Sequence, residues 1–207
     1  MNTSNKKIRI AIQNNGRLSE ASLDFLRKLG LKFRKNNRQL IVPCKNVNVE
    51  FLNVRNGDIP EYVSQNVADF GIVGENVLIE RESNLKIERK LGFGECSLII
   101  AVPKKSLIKS VNDLQEERIA TSYPRTLKKF LSENKINASI IDIRGSVEIA
   151  PSLNLADAIC DITQTGTTLG KNKLRIIAKI FDSQAVVVGN FCPNKQKWND
   201  FVNYLKN

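Results

Sequence analysis

One stretch constrains the chain more than any other: Ala156-Asp157-Ala158-Ile159-Cys160-Asp161-Ile162-Thr163-Gln164-Thr165-Gly166-Thr167-Thr168-Leu169. Its apolar run 158–162 has β character and delivers the carboxylate of Asp161 to a strand's carboxyl end, where α/β proteins place their ligands. A turn rich in threonine and glycine follows at once. Gly166 lets the backbone fold back closely, so that successive amide N–H groups converge on an anion, and the hydroxyls of Thr165, Thr167 and Thr168 add donors. That is a seat for a phosphate. The Asp161 carboxylate is placed to accept hydrogen bonds from the vicinal hydroxyls of a ribose carried on that phosphate. An ordinary strand-turn-helix corner is the alternative that the bare turn leaves open.

The rest of the chain alternates strands and helices around similar corners. A first strand at 8–13 leads through Asn14-Asn15-Gly16-Arg17 into a helix whose apolar residues recur at three and four from Leu18 to Leu29, with Gly30 as its stop. Arg17 thereby stands at a strand's carboxyl end, beside a helix amino terminus that favours anions. Strands follow at 39–43 and 47–54, and Arg55 stands on the loop after the second. Asp58 as N-cap and Pro60 in the first turn open a helix with Ile59, Tyr62, Val63 and Val67 on its buried face. A strand at 70–74, a helix at 76–81 and strands at 85–91 and 96–102 complete this half, and Asp69 reads as a residue at the start of its strand rather than a catalytic one.

From Ser110 the pattern starts afresh. It gives strands at 118–121 and 138–143, a helix capped by Ser122 that has Pro124 in its first turn, and a helix at 147–150 closed by Pro151. Strands at 174–181 and 185–189 and a helix at 195–205 finish the chain. The pattern predicts an α/β fold with mostly parallel sheets. Two lobes are expected, 1–92 with 179–207 returning to it, and 93–178 carrying the phosphate turn, joined by hinge strands with the ligand in the cleft between them.

Composition removes several function classes. The chain of 207 residues has no histidine, which excludes Ser-His and Cys-His catalysis and the commonest zinc sites. Cys44, Cys96, Cys160 and Cys192 lack C-x-x-C spacing and read as buried thiols of a reducing cytosol. The first residues are polar and no apolar run reaches transmembrane length, so a cytoplasmic protein with no membrane contact is expected. The net charge of +11 is spread along the chain, without a basic stripe interleaved with aromatics. That pattern argues against nucleic acid and for a solvated basic surface that steers polyanionic small molecules or an acidic partner.

Glu148, Asn154-Leu155-Ala156, Ile159, Asp161-Ile162 and Thr165-Gly166-Thr167-Thr168-Leu169 reproduce the spacing of the signature of ATP phosphoribosyltransferase. Asn15-Gly16-Arg17-Leu18 stands where that family carries a lysine-glycine-arginine-leucine turn. Arg55 with Asp58-Ile59-Pro60 resembles its R-x-x-D-I-P element, and Ala120-Thr121-Ser122-Tyr123-Pro124 its A-T-S-Y-P segment. The resemblance runs in the family's order over nearly the whole chain. It implies two α/β lobes like the type II periplasmic binding proteins, with the active site in the cleft between them. The implied reaction is transfer of phosphoribosyl from phosphoribosyl pyrophosphate to N1 of the adenine of ATP, releasing pyrophosphate, the first step of histidine biosynthesis.

The implied roles follow the motifs. Thr165, Gly166, Thr167 and Thr168 hold the 5′-phosphate, Asp161 the ribose hydroxyls, and Glu148 assists at the ribose. Arg17 and Arg55 give forked donors to the pyrophosphate, which carries Mg²⁺, and Ser122 and Tyr123 shape the nucleotide pocket. The length resembles the family's short form, a catalytic core that works with a regulatory subunit related to histidyl-tRNA synthetase, as a homodimer within a hetero-oligomer. Asn154 replaces the signature's glycine, and asparagine takes left-handed backbone readily. Asn15 replaces a lysine and Gly170 an arginine that many members carry. Those two losses keep open a second reading, a non-catalytic two-lobe sensor of a phosphorylated metabolite.

Overall fold

The computed structural model describes residues 7–34 and 39–190; the helix expected at 195–205 and Cys192 lie outside them. The described chain divides into two compact units, 7–94 with 184–190, and 95–183. The first holds strands Ile8–Gln13 (β1), Ile41–Pro43 (β2), Val49–Val54 (β3), Phe70–Gly74 (β4) and Lys86–Lys90 (β5), with helices Arg17–Lys28 (α1), Ile59–Ser64 (α2) and Glu75–Glu80 (α3). The second holds Cys96–Pro103 (β6), Arg118–Thr121 (β7), Ser139–Asp142 (β8), Ala158–Thr163 (β9) and Leu174–Ser183 (β10), with helices Pro124–Glu133 (α4) and Thr167–Lys171 (α5). The chain then returns to the first unit as Ala185–Gly189 (β11).

The first sheet runs β2-β3-β1-β4-β11-β5 and the second β10-β6-β9-β7-β8. Both are mixed, where mostly parallel sheets were expected. β1 pairs in parallel with β3 and β4, and β7 with β8 and β9, whereas β2, β5, β6, β10 and β11 pair antiparallel. The short link from β2 to β3 suits a hairpin and is too short for the crossover a parallel pair needs. β10 and β11 are separated by Gln184 alone, so one nearly continuous segment serves both sheets. β10 stays paired with β6 to its end, Ser183 opposite Cys96, and there the chain leaves the second unit.

Strand alternation sorts the core of the first unit onto two faces. Ile8, Ile10 and Ile12 pack with Phe51, Phe70, Ile72 and the Leu23 and Leu26 of α1. Ala11 faces the other way, toward Leu52, Ile59 and Val63 of α2, and Val77 and Leu78 of α3. Each fully buried leucine or isoleucine contributes about 1.5–3 kcal/mol. Gly71 lets α2 lie directly on β4: a Cβ there would sit 2.6 Å from Cγ2 of Ile59 and 3.1 Å from Cγ2 of Val63. In the second unit Leu98, Ile100, Ile119 and Cys160 pack under Leu127 and Leu131 of α4. Ile99, Ala101, Ala120 and Ile159 pack on the opposite face with Val147, Ala150 and Leu169.

Two aspartates start equivalent strands. The Asp69 amide donates to the Arg9 carbonyl at 2.8 Å, and the Arg9 amide donates to Oδ2 of Asp69 at 2.8 Å, setting β4 beside β1. The Asp157 amide likewise donates to the Arg118 carbonyl, and the Arg118 amide to Oδ2 of Asp157. Here the guanidinium adds a fork, Nε to Oδ2 and Nη2 to Oδ1, both at 2.9 Å. The same guanidinium donates from Nη1 to the carbonyl of Asn154.

Several local features depart from expectation. Ser122 does not cap α4; Tyr123 is the N-cap and Pro124 takes the first helical position. Asp58 closes a 3₁₀ turn, Asn56–Asp58, ahead of α2 and makes no capping bond; its carboxylate lies 3.5 Å from the Arg81 guanidinium instead. The segment expected as a helix over 147–150 winds as a 3₁₀ run, Val147–Leu153, with Pro151 inside it. Proline is admitted because its fixed φ matches 3₁₀ geometry.

Candidate functional site

Parallel strands β8, β7 and β9 bring their carboxyl ends to one edge of the second sheet, where Thr121 ends β7 opposite Asp142 and Cys160. Three loops leave from this edge, and two are tied together. The Ser122 hydroxyl donates to the Ile143 carbonyl at 2.6 Å, and the Ile143 amide donates to the Thr121 carbonyl at 2.9 Å. The Tyr123 amide donates to Oγ1 of Thr121, and the tyrosine packs partly buried against the α4 cluster.

Asp161 lies on β9 one position beyond its last pairing with β7. Its Oδ1 accepts the Ile162 amide at 2.8 Å. Burial pushes its carboxyl up to about 6, against the lowering effect of that hydrogen bond, and the negative charge of Glu148 adds to the rise. The structure therefore brings Glu148 and Asp161 into one another's field. Glu148 is carried near the start of the 3₁₀ run, which is bracketed by left-handed residues, Ser146 (φ 47°, ψ 38°) and Asn154 (φ 56°, ψ 21°). Asn154 thus adopts the conformation for which the family's signature places glycine.

The turn after β9 is folded by its own groups. Gly166 is left-handed (φ 70°, ψ −1°) and is the N-cap of α5. Its N–H donates to Oγ1 of Thr163 at 3.1 Å, and its carbonyl accepts the Gly170 amide at 3.0 Å. The hydroxyls of Thr165 and Thr167 lie 2.9 Å apart, one donating to the other. The N–H groups of Thr167, Thr168 and Leu169 precede the first hydrogen bond of α5, from the Gly170 amide to the Gly166 carbonyl. The Gly166 amide is thus engaged by Thr163 within the turn. Threonine three residues before a turn glycine was the available signal.

In the first unit, Gln13 of β1 and Val54 of β3 end opposite one another. Arg17 opens α1 after Gly16, and Arg55 follows Val54 with its carbonyl accepting the Asp58 amide. Both side chains are exposed on this shared edge. The structure thus sets Arg17 and Arg55 at neighbouring strand ends of the first unit, and Ser122, Tyr123 and Asp161 with the turn after it at neighbouring strand ends of the second, where Glu148 acts on Asp161. None of the described cysteines is in a disulfide; burial raises Cys44 to about 11 and raises Cys96, so neither is a reactive thiolate.

A family model for HisG, ATP phosphoribosyltransferase, matches residues 55–207. The ATP phosphoribosyltransferase of Cytophaga hutchinsonii is 46% identical over 186 residues, covering 90% of this chain and 64% of that protein, so the chain spans just under two thirds of that relative's length. Among solved structures, a chain of the ATP phosphoribosyl transferase (HisG:HisZ) complex from Thermotoga maritima superposes with a TM-score of 0.82 at 32% identity, over 96% of both chains. The alkanesulfonate-binding protein SsuA from Xanthomonas axonopodis superposes with a TM-score of 0.62 over 96% of this chain and 70% of its own, but at 14% identity it speaks to the two-lobe fold alone. The motifs, their placement at the strand ends and these matches together show that the chain belongs to the ATP phosphoribosyltransferase family.

Proposed function

We propose that the chain transfers the phosphoribosyl group of phosphoribosyl pyrophosphate to N1 of the adenine ring of ATP, releasing pyrophosphate, as the first step of histidine biosynthesis. The observation that carries this reading is the placing of the Asp161 carboxylate and the left-handed Gly166 turn together at the carboxyl end of β9, in a chain of this family. The hydroxyls of Thr165, Thr167 and Thr168 and the amides of Thr167 and Thr168, in the turn that Gly166 makes, seat the 5′-phosphate. Asp161 and Glu148 receive the ribose hydroxyls. As the C1′–O bond lengthens, its electron pair leaves with pyrophosphate, positive charge builds on the ribose ring, and the N1 lone pair of adenine forms the new bond. The two carboxylates favour the charge on the ring, and Mg²⁺ enters on the pyrophosphate as part of the substrate. Arg17 and Arg55 supply forked donors to the leaving group.

Ser122 and Tyr123 line the nucleotide pocket in this reading. The Ser122 hydrogen is committed to Ile143, so the side chain offers ATP an acceptor rather than a donor. A regulatory subunit related to histidyl-tRNA synthetase joins the chain, and the likeness to a chain of the Thermotoga HisG:HisZ complex over 96% of both lengths supports that partner. The assembly is a homodimer of this chain within a hetero-oligomer, in the cytoplasm. Among the described residues no helix is long and apolar enough to cross a membrane.

The test is the ultraviolet absorbance of the phosphoribosyl-ATP product, followed with and without the partner subunit. Product formation should require both substrates. Asp161→Ala or Arg55→Ala should each cost about a hundredfold in rate, on the order of 3 kcal/mol of transition-state stabilisation, with thermal melting retained. Wild-type rates in both variants would refute the assignment.

A further inference from the structure

We infer that Thr163 is a positioning residue that sets the phosphate turn in its binding form before any ligand arrives. The inference rests on the phosphoribosyl seat proposed above and concerns a position that the family's signature leaves open, between Asp161-Ile162 and Thr165-Gly166.

The argument starts from the two polar groups of Gly166. Its N–H is held by Oγ1 of Thr163 at 3.1 Å and its carbonyl by the Gly170 amide at 3.0 Å. One bond ties the glycine to the last residue of β9 and the other to α5. Glycine has the widest choice of backbone conformations, so an untied Gly166 would lose the most freedom on closing around an anion. The Thr163 hydroxyl supplies part of that ordering during folding, which lowers the cost at binding. It also decides which donors face the ligand. The Gly166 amide is occupied, and the anion falls to the amides of Thr167, Thr168 and Leu169 and to the paired hydroxyls of Thr165 and Thr167. Position 163 requires an acceptor on the β-carbon. Threonine meets that need and, being β-branched, also suits the end of a strand.

The experiment is titration calorimetry of the full chain with phosphoribosyl pyrophosphate and, separately, with ATP. Thr163→Val removes the acceptor while keeping the shape, and Thr163→Ser keeps the acceptor. Valine should weaken phosphoribosyl pyrophosphate binding about three- to tenfold and leave ATP unchanged; serine should stay within about twofold of wild type for both. Unchanged affinity in the valine variant overturns the inference. So does tighter binding, which would mean that the hydroxyl competes with the ligand for the Gly166 amide. Equal weakening of both ligands, or a serine variant as impaired as valine, marks general damage and overturns it too. Should valine fail to fold, serine and Thr163→Ala decide by the same split between the two ligands. Asp161→Asn separates the two levels of the argument. If it weakens the donor sugar and valine does not, only the role of Thr163 falls; if neither does, or the wild type takes up no donor, the seat itself falls.

Discussion

The Asp161 carboxylate keeps one hydrogen bond, from the Ile162 amide, in surroundings that favour its neutral form. An aspartate in the unfolded chain titrates near 3.9, and in the fold this one titrates at about 6. The folded state therefore holds this proton more tightly, so the stability linked to it is complete below about pH 4 and is lost as pH rises through about 6. Asp161→Asn should stabilise the protein at pH 7 by on the order of 1–3 kcal/mol and hardly at all at pH 4, as read by denaturant unfolding at the two values. A gain equal at both values would show that the effect is not titration. Ribose hydroxyls donating to the carboxylate favour its charged form, so donor affinity should fall below about pH 6 and binding near that pH should release protons, measurable by calorimetry in buffers of different ionisation enthalpy. Asp161 and the left-handed Asn154 were legible in the sequence because each follows from its own residue type and spacing. The hydrogen bonds of Thr163 and Ser122 were not, because a hydroxyl's partner depends on how the following turn brings a distant amide or carbonyl within reach.

Among the elements, β4 and α2 meet closely. An added Cβ at Gly71 would lie 2.6 Å from Ile59 and 3.3 Å from Val188, and strand and helix backbones cannot readily part to admit it. Gly71→Ala should cost about 1–3 kcal/mol by chemical denaturation followed with circular dichroism, while Gly145→Ala, with open space around its glycine, tests only the cost of its positive φ. A Gly71 variant as stable as wild type would show that α2 is not seated as described. Strands β1, β4, β7 and β11 were readable to the residue, since short apolar runs bounded by glycine or polar residues announce themselves locally. Strand direction was not, because pairing is decided by partners far along the chain; β11 joins β4 across more than a hundred residues. The 3₁₀ winding of Val147–Leu153 was hidden for a different reason: its apolar pattern fits either helix, and Pro151 reads as a stop although its φ suits both.

The two units differ in how the chain builds them. The second is one continuous segment whose own core covers both faces of its sheet, and its ends are neighbours, Cys96 paired with Ser183. Residues 95–183 expressed alone should give a cooperative thermal transition; a broad, non-cooperative melt would show that the unit depends on the rest of the chain. The first unit is discontinuous, since β11 lies between β4 and β5 and pairs with both. The two-lobe class was legible from the restart of the strand-helix alternation near residue 95. The point of return to the first unit was not, because β10 stays paired with β6 through Ser183, past two irregularities, with no sequence break before Gln184.

That insertion dictates an order of events on the ribosome. β4 and β5 leave the exit tunnel first and have no bridging strand until more than ninety residues later, when β11 emerges, so the half of the molecule made first is the half completed last. The nascent chain carries two unsatisfied strand edges through that interval, the kind of surface that recruits a chaperone or seeks another chain.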